Sequence, residues 1–198
     1  MAVTKLSNSG IKTGILKYDS FLAGNTAYDP AATWLIQRVT ATGGETSLSF
    51  TNIPQTYTSL QIRGISRRNT VGSFYNALQF NSDTGANYVV HWLYGTGSSA
   101  LATGYTSYNY IFANRSSSST DAANIFGSVI FDIHDYNSTT RNKTVRFFGG
   151  YDANGAGQIF NGSGLWLNTN AITSVTVYFQ GDALAAGSTF ALYGFKGA

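Results

Sequence analysis

The chain has 198 residues and a formal net charge of +3, and only 11% of its residues are charged while 15% are aromatic. It contains a single glutamate, Glu45, so it lacks the charged residues that cover the wet face of a surface helix, whereas Ser, Thr, Asn and Gly favour strands and turns. This composition excludes helical bundles and α/β enzymes, and the abundant aromatic residues argue against disorder.

Residues 1–30 form a first region, which lacks the period-two alternation of a strand. Gly10, Gly14 and Gly24 disfavour a stable helix. A frayed terminus and a strand laid along the body are alternatives, but the region is too apolar for a solvated tail. We therefore expect an extended docking arm, ordered against another protein or a neighbouring subunit. The residues expected to dock are Leu6, Ile11, Ile15, Leu16, Tyr18, Phe21 and Leu22.

Residues 31–198 form a second region, in which short apolar stretches alternate with turn residues. This pattern is typical of antiparallel sandwiches and barrels, and the unequal loops favour an all-β jelly-roll β-sandwich. The predicted strands are Trp34–Ala41, Thr46–Phe50, Ser59–Ile65, Phe74–Asn81, Tyr88–Tyr94, Tyr108–Ala113, Asn124–Ile133, Lys143–Phe148, Gly164–Leu167, Ile172–Phe179 and Thr189–Phe195.

The predicted strand Asn124–Ile133 is apolar on both faces. Val129 and Phe131 share one face with Ile133, while Phe126 and Ile130 lie on the other. Because a strand with two apolar faces is covered on both sides, we expect a second sheet on one side and a neighbouring subunit on the other.

Glycine-containing pairs and triplets mark the predicted turns. Asn154-Gly155 and Asn161-Gly162 tolerate a positive φ, and Asp83-Thr84-Gly85 predicts a hairpin. The longest predicted loops are Gly95–Ser107, Ser116–Ala123 and Asp135–Asn142, which are all rich in Ser, Thr and Asn.

Residues that could perform catalysis or bind a metal are sparse. Asp132 and His134 share a strand face, but the only other histidine, His91, lies in an apolar strand and is expected to be a buried, hydrogen-bonded residue. The Asp83–Gly85 turn lacks the glutamate that would complete a calcium loop. We therefore expect no catalytic site, no metal and no cofactor.

Other classes of partner are also disfavoured by the sequence. Arg67-Arg68 is the only adjacent basic pair, so nucleic-acid binding is not expected. Without cysteine the chain has neither disulfides nor zinc–thiolate sites. It shows no export signal and no apolar run long enough for membrane insertion.

Tyrosines among Ser, Asn and Gly are a common surface for recognising proteins and sugars. Packing of these rings at a sheet margin is the simpler interpretation, and a glycan site is the alternative. The candidate glycan-binding residues are Tyr105, Tyr108, Tyr110, Tyr151 and Trp166.

Several segments resemble small virion structural proteins of tailed bacteriophages, notably aquatic phages, whose labels include tail fibre, adhesin and head decoration. The resemblance covers nearly the whole chain. It is carried by Thr4–Gly14 (TKLSNSGIKTG), Tyr18–Asn25 (YDSFLAGN), Leu60–Gly64 (LQIRG), Phe80–Tyr88 (FNSDTGANY) and Phe190–Gly197 (FALYGFKG).

This resemblance implies a jelly-roll body that projects from the virion and is anchored by its N-terminal arm. It implies a homotrimer, capsid or tail proteins as partners, and assembly in the host cytoplasm. No catalytic residue is carried over from the group. The expected function is a non-enzymatic virion structural protein, with a receptor module for host surface glycans as the alternative.

Overall fold

The computed structural model describes residues 33–71 and 75–196, and within these ranges the chain is all-β, with twelve strands and no helix. The docking arm predicted for residues 1–30 lies outside the described residues. The strands are β1 (Thr33–Thr40), β2 (Ser47–Phe50), β3 (Ser59–Ser66), β4 (Tyr75–Phe80), β5 (Tyr88–Gly95), β6 (Ala100–Tyr108), β7 (Ile111–Arg115), β8 (Gly127–His134), β9 (Lys143–Asp152), β10 (Gly157–Trp166), β11 (Val175–Phe179) and β12 (Thr189–Phe195).

These strands form two antiparallel sheets of unequal width. The eight-stranded sheet has the order β1-β12-β3-β8-β9-β10-β5-β6, and the four-stranded sheet has the order β2-β11-β4-β7. The sheets are layered as in a sandwich, because rings of the narrow sheet contact rings of the wide one. Phe80 on β4 packs on Trp166 of β10, with ring centroids 5.5 Å apart.

The core forms where alternate residues of both sheets point inward. On β8, Val129, Phe131 and Ile133 are buried, and on β11 Val175 and Val177 are completely buried. This period of two confirms the predicted alternation and the all-β class.

β6 corrects one sequence prediction, since it occupies most of the segment Gly95–Ser107 that was expected to be a loop. Seven of the nine residues of β6 are exposed, because β6 is the edge strand of the wide sheet and pairs only with β5. A strand that buries neither face shows no hydrophobic alternation, so its composition resembles that of a loop.

The glycine-containing pairs have different structural roles. Asn154-Gly155 does turn the chain between β9 and β10, with φ of 56° and 108°. The predicted turn at Asn161-Gly162 is wrong, because both residues lie inside β10. A Cβ at position 162 would lie 2.3 Å from Cζ of Phe147 and 2.6 Å from the carbonyl oxygen of His91, so this glycine makes room for its neighbours.

The prediction of a hairpin at Asp83-Thr84-Gly85 is also wrong, because β4 and β5 belong to different sheets. This connection crosses the edge of the core. The Asp83 carboxylate accepts hydrogen bonds from the Trp166 indole N–H (2.7 Å), the Gly85 N–H (2.8 Å) and the Asn87 amide (3.0 Å). Asp83 therefore fixes the connection between β4 and β5 to the ring of Trp166.

Within residues 33–71 and 75–196, the structure contains no helix with the length and apolar character needed to cross a membrane.

Replacement of Asp83 by asparagine tests whether its carboxylate stabilises the connection between β4 and β5. Burial by itself raises the pKa of Asp83, but hydrogen bonds from Trp166, Asn87 and Gly85 outweigh it and hold the pKa below its ordinary value. A lowered folded-state pKa stabilises the protein above the unfolded value of about 3.9. This stabilisation is lost as the pH falls below that value and through the folded-state pKa.

We expect Asp83→Asn to lower the free energy of unfolding at neutral pH by about 1–3 kcal/mol, because an amide cannot accept all three bonds. Urea titrations at neutral and acidic pH measure this loss, and the difference from wild type should shrink in acid. Asp135→Asn, which removes only an exposed ion pair with Arg141, is the matched control. An equal loss at both pH values would contradict the role of the carboxylate.

Candidate interaction surface

The outer face of the eight-stranded sheet carries the largest exposed apolar side chains of the central strands. Five of them lie on the neighbouring strands β3, β8, β9, β10 and β5 and are between 38% and 61% exposed. We call this set the apolar stripe. Its members are Ile65, Ile130, Phe148, Ile159 and Leu93.

Strand register places the stripe in two adjacent rows. The first row runs across the five strands. Its members, each paired with the next in the register, are Arg63, Ile130, Phe148, Asn161 and Leu93. The second row lies two residues further along each strand. Its members are Ile65, Ser128, Gly150, Ile159 and Gly95.

The two-sided strand predicted around Asn124–Ile133 is confirmed in part. Ile130 does point away from the core side chains of β8, and within the single chain it is 38% exposed. Phe126, expected on the same face, precedes the strand instead. Asn124 has a φ of 68°, which is incompatible with strand geometry at that position.

Most of the apolar stripe was missed by the sequence analysis, although a signal for it was present. Phe147 and Phe148 are adjacent in a strand, so their rings must point to opposite faces. Phe147 is buried and Phe148 is 52% exposed. Two consecutive large rings therefore indicate a second, outward-facing apolar surface.

Polar side chains border the stripe at one end of the strands. The Gln61 amide donates to Asp132 (2.6 Å), and the Arg63 guanidinium donates to the Gln61 side-chain oxygen (2.5 Å) and lies 5.2 Å from the centroid of the Tyr193 ring. On the neighbouring strands β9, β10 and β5, the outward positions level with Gln61 and Asp132 are Arg146, Ser163 and His91. This arrangement resembles an apolar interface core with a polar rim.

His91 corrects another sequence prediction, because it is exposed on this outer face rather than buried. Its neighbours there are Ser163 and Gly104. A Cβ at position 104 would lie 2.2 Å from Cδ2 of His91, so the imidazole lies over the bare glycine. The Val90 and Trp92 side chains on either side of it point inward, which is why the sequence resembled a buried stretch.

The three tyrosines of the predicted aromatic segment do come together. Tyr105 and Tyr108 have ring centroids 5.2 Å apart, Tyr108 and Tyr110 5.8 Å, and all three rings surround Phe112. Phe112 is 5% exposed, whereas Tyr105 is 42% exposed. The cluster is therefore an extension of the core that ends in an exposed ring at the sheet margin.

The other two candidate sugar-binding residues lie elsewhere. Trp166 is 1% exposed in the core, so it is not available to a surface ligand. Tyr151 is half-buried near the end of β9, where it lies opposite Gln158. The five residues therefore do not form one site, although Tyr105 and Tyr108 remain accessible.

A groove of about 440 Å³ adjoins the cluster on the outer side of the four-stranded sheet. Tyr110 and Tyr178 form its aromatic wall, with ring centroids 5.3 Å apart at a steep angle. Gln79, Asn109 and Thr176 add amide and hydroxyl groups. Burial, followed by the proximity of Tyr110 and Tyr88, raises the pKa of Tyr178, so its hydroxyl stays neutral.

Asp132 and His134 occupy alternate outward positions on β8, as the period of two predicts. In the described ranges, no group of three or more His, Asp or Glu residues is arranged to hold a metal ion.

No protein-family model matches the chain, and no curated protein matches it significantly.

Substitutions at Phe112 and Tyr105 test the division between core and margin. Phe112→Ala should lower the free energy of unfolding by about 3–5 kcal/mol, because it leaves a cavity among the surrounding aromatic rings. Tyr105→Ala should lower it by only about 1 kcal/mol, since much of its ring is already in solvent. Urea titrations measure both values. Similar losses for the two variants would contradict this division.

Proposed function

We propose that this chain is a non-enzymatic structural protein of a tailed-bacteriophage virion. Its body is a jelly roll that projects from the particle as a tail appendage or capsid decoration, and residues 1–30 anchor it. Its partners are further copies of itself, as a homotrimer, and other capsid or tail proteins. Assembly takes place in the host cytoplasm.

The strand order supports the jelly roll. When the hairpins β5–β6 and β9–β10 are set aside, the remaining strands have the orders β1-β12-β3-β8 and β2-β11-β4-β7. Two interlocked Greek keys produce this arrangement of eight strands in two sheets. Both hairpins extend one edge of the wide sheet, so they enlarge its outer face without changing the order of the other strands. Capsid and lectin domains commonly have this architecture.

The observation that carries the structural role is the apolar stripe. Its five side chains lie on one sheet face and are 38–61% exposed, in a chain with few charges. An exposed apolar patch with a polar rim is typical of protein–protein contact surfaces. A chain whose working surface is a broad face fits an assembly role better than a catalytic one.

Deletion of residues 2–25 tests the anchoring. We expect the truncated chain to keep its β-sheet circular dichroism spectrum but to be absent from purified particles, because the apolar residues that would dock are gone. Particle incorporation is measured by mass spectrometry of purified virions.

A matched pair of full-length variants accompanies the deletion. Replacing Leu6, Ile11 and Phe21 by serine should abolish incorporation, whereas replacing Ser7, Ser9 and Ser20 by alanine should not. Normal incorporation of the deletion variant would place attachment on the body. Absence of the wild-type chain from particles would contradict the virion role itself.

We propose glycan binding as a second function, favoured by the groove beside the aromatic cluster. Tyr and amide side chains around a shallow groove suit a neutral, hydroxyl-rich ligand, since rings pack on sugar faces and amides bind hydroxyl groups. From the groove, successive ring contacts lead through Tyr110 and Tyr108 to the exposed ring of Tyr105.

Titration with neutral oligosaccharides from the host surface tests this second function. We expect a change in tryptophan fluorescence, because the Trp92 ring centroid lies 5.5 Å from that of Tyr105. Asn109→Ala and Tyr105→Ala should each weaken binding about tenfold, in the range of a lost polar or stacking contact. Thr144→Ala, on the opposite sheet, is the control. Equal binding by all variants, or none by wild type, would contradict a glycan site here.

A further inference from the structure

The middle strand β9 presents an ordered series of side chains on the outer face of the wide sheet. After Thr144, its outward positions are Arg146, Phe148, Gly150 and Asp152. Along the strand, a cation is followed by a large ring, then by a position without a side chain, and then by an anion. When two such series run in opposite directions against each other, each ring meets a position without a side chain and each cation meets an anion.

We propose that this outer face binds a second copy of the chain across a two-fold axis. The axis lies in the contact plane, perpendicular to β9 and level with residue 149. It exchanges position 148 with 150 and position 146 with 152. Each Phe148 ring then faces Gly150 of the other copy, and each Arg146 faces an Asp152. A two-fold contact requires such self-complementarity of one patch.

On two of the four other strands that carry the rows, β8 and β5, a large residue in the first row is followed by a small one in the second, whereas β3 holds Arg63 and Ile65 and β10 holds Asn161 and Ile159. On β8 the first row holds Ile130 and the second Ser128, and on β5 they hold Leu93 and Gly95. The two-fold axis places the first row of one copy against the second row of the other. Large side chains therefore meet small ones on three of the strands, as close packing of two sheet faces requires.

The small position on β9 is fixed by the backbone. A Cβ at Gly150 would lie 2.3 Å from the carbonyl oxygen of Gln158 and 3.0 Å from Cα of Ile159. The surrounding depression has a volume of about 560 Å³ and is lined by glycines of β9, β10 and their hairpin, with Phe148 at its margin. It provides room for an aromatic ring of a second copy.

The charges at the two ends of the series are available for this contact. Within residues 33–71 and 75–196, the Arg146 guanidinium has no hydrogen-bond or ion-pair partner. Asp152 is exposed, and its carboxylate accepts one bond, from the Asn154 N–H (2.8 Å). Pairing Arg146 with Asp152 of the other copy occurs twice in a two-fold dimer.

The size of the face fits a stable contact. Eight strands span roughly 34 Å, and the segment from Arg146 to Asp152 spans roughly 20 Å. A contact over all eight strands would cover roughly 1,400 Å² on the two copies together, within the usual range for specific complexes, and the five strands that carry the rows would contribute roughly 800 Å² of it.

This inference goes beyond the proposed virion role, and the two are tested separately. A two-fold contact gives a dimer if the chain makes no other contact with itself, and a hexamer if it also forms trimers. Sedimentation equilibrium of the purified full-length chain over micromolar concentrations measures the stoichiometry. A wild-type chain that remains monomeric or strictly trimeric would overturn the inference, whether or not the chain is found in particles.

Phe148→Asp tests the apolar centre. It should weaken the two-fold association about 100-fold, as expected for a central aromatic contact. Thr144→Asp, at an exposed outward position of the same strand beyond the rows, is the matched control and should leave association unchanged. Thermal unfolding followed by circular dichroism shows that both variants are folded. Unchanged association of folded Phe148→Asp would overturn the proposal.

Charge reversal tests the two-fold geometry itself. Arg146→Glu and Asp152→Arg, each alone, should weaken self-association about tenfold, because each brings like charges together twice. An equimolar mixture of the two variants should form heterodimers of wild-type affinity. In the heterodimer the two introduced side chains face each other with opposite charges, and the unchanged Arg146 of one copy faces the unchanged Asp152 of the other. A local folding defect would not be repaired by mixing. Absence of heterodimers in native mass spectrometry would overturn this axis.

Discussion

The fold is governed by the difference in width between the two sheets, since four strands cover the inner face of eight. Apolar residues of the wide sheet that lie beyond the narrow one need another cover, or they would contact water. Aromatic rings supply it: Tyr75 of β4 and Phe112 of β7 reach Trp92 on β5, at centroid distances of 5.7 and 5.9 Å. Large rings suit this position, because each covers much area at a low cost in side-chain entropy.

The same mismatch explains why the two outer faces differ. The narrow sheet carries mainly hydroxyl and amide groups on its outer side, including Ser49 and Thr176, whose hydroxyls are hydrogen-bonded at 3.0 Å. The wide sheet has enough outward positions to hold both the apolar stripe and the polar residues beside it. Since the strand pairs of both sheets are fixed by the common core, the outer residues do not determine the fold. They are free to serve contacts with other molecules.

The sequence predicted the strands that bury one face, because their alternation follows directly from the pleat. Strand β11 is an example, in which Val175, Val177 and Phe179 are buried. It did not predict β6, which buries neither face, or the strand role of Gly162, whose bare position is required by a neighbouring ring. Trp166 shows the same limit for the candidate sites. Its polar sequence neighbours made it a candidate for binding sugars, whereas the residue that fixes its ring, Asp83, is remote in sequence. Contacts of this kind depend on the register between strands that are distant in sequence, and the local hydrophobic pattern carries no information about that register.

The strand order also has a consequence for synthesis. Strand β12 lies between β1 and β3, so the first and third strands lack their shared neighbour until the last of the twelve has been made. Thr40 and Thr189, whose hydroxyls meet at 3.0 Å, are 149 residues apart in sequence. Pairings of this range close slowly. During synthesis, the edges of β1 and β3 that will pair with β12 therefore keep unpaired backbone groups until β12 has been made. Polar side chains on these strands, among them Arg38 and Arg63, oppose edge-to-edge pairing between nascent chains during that interval.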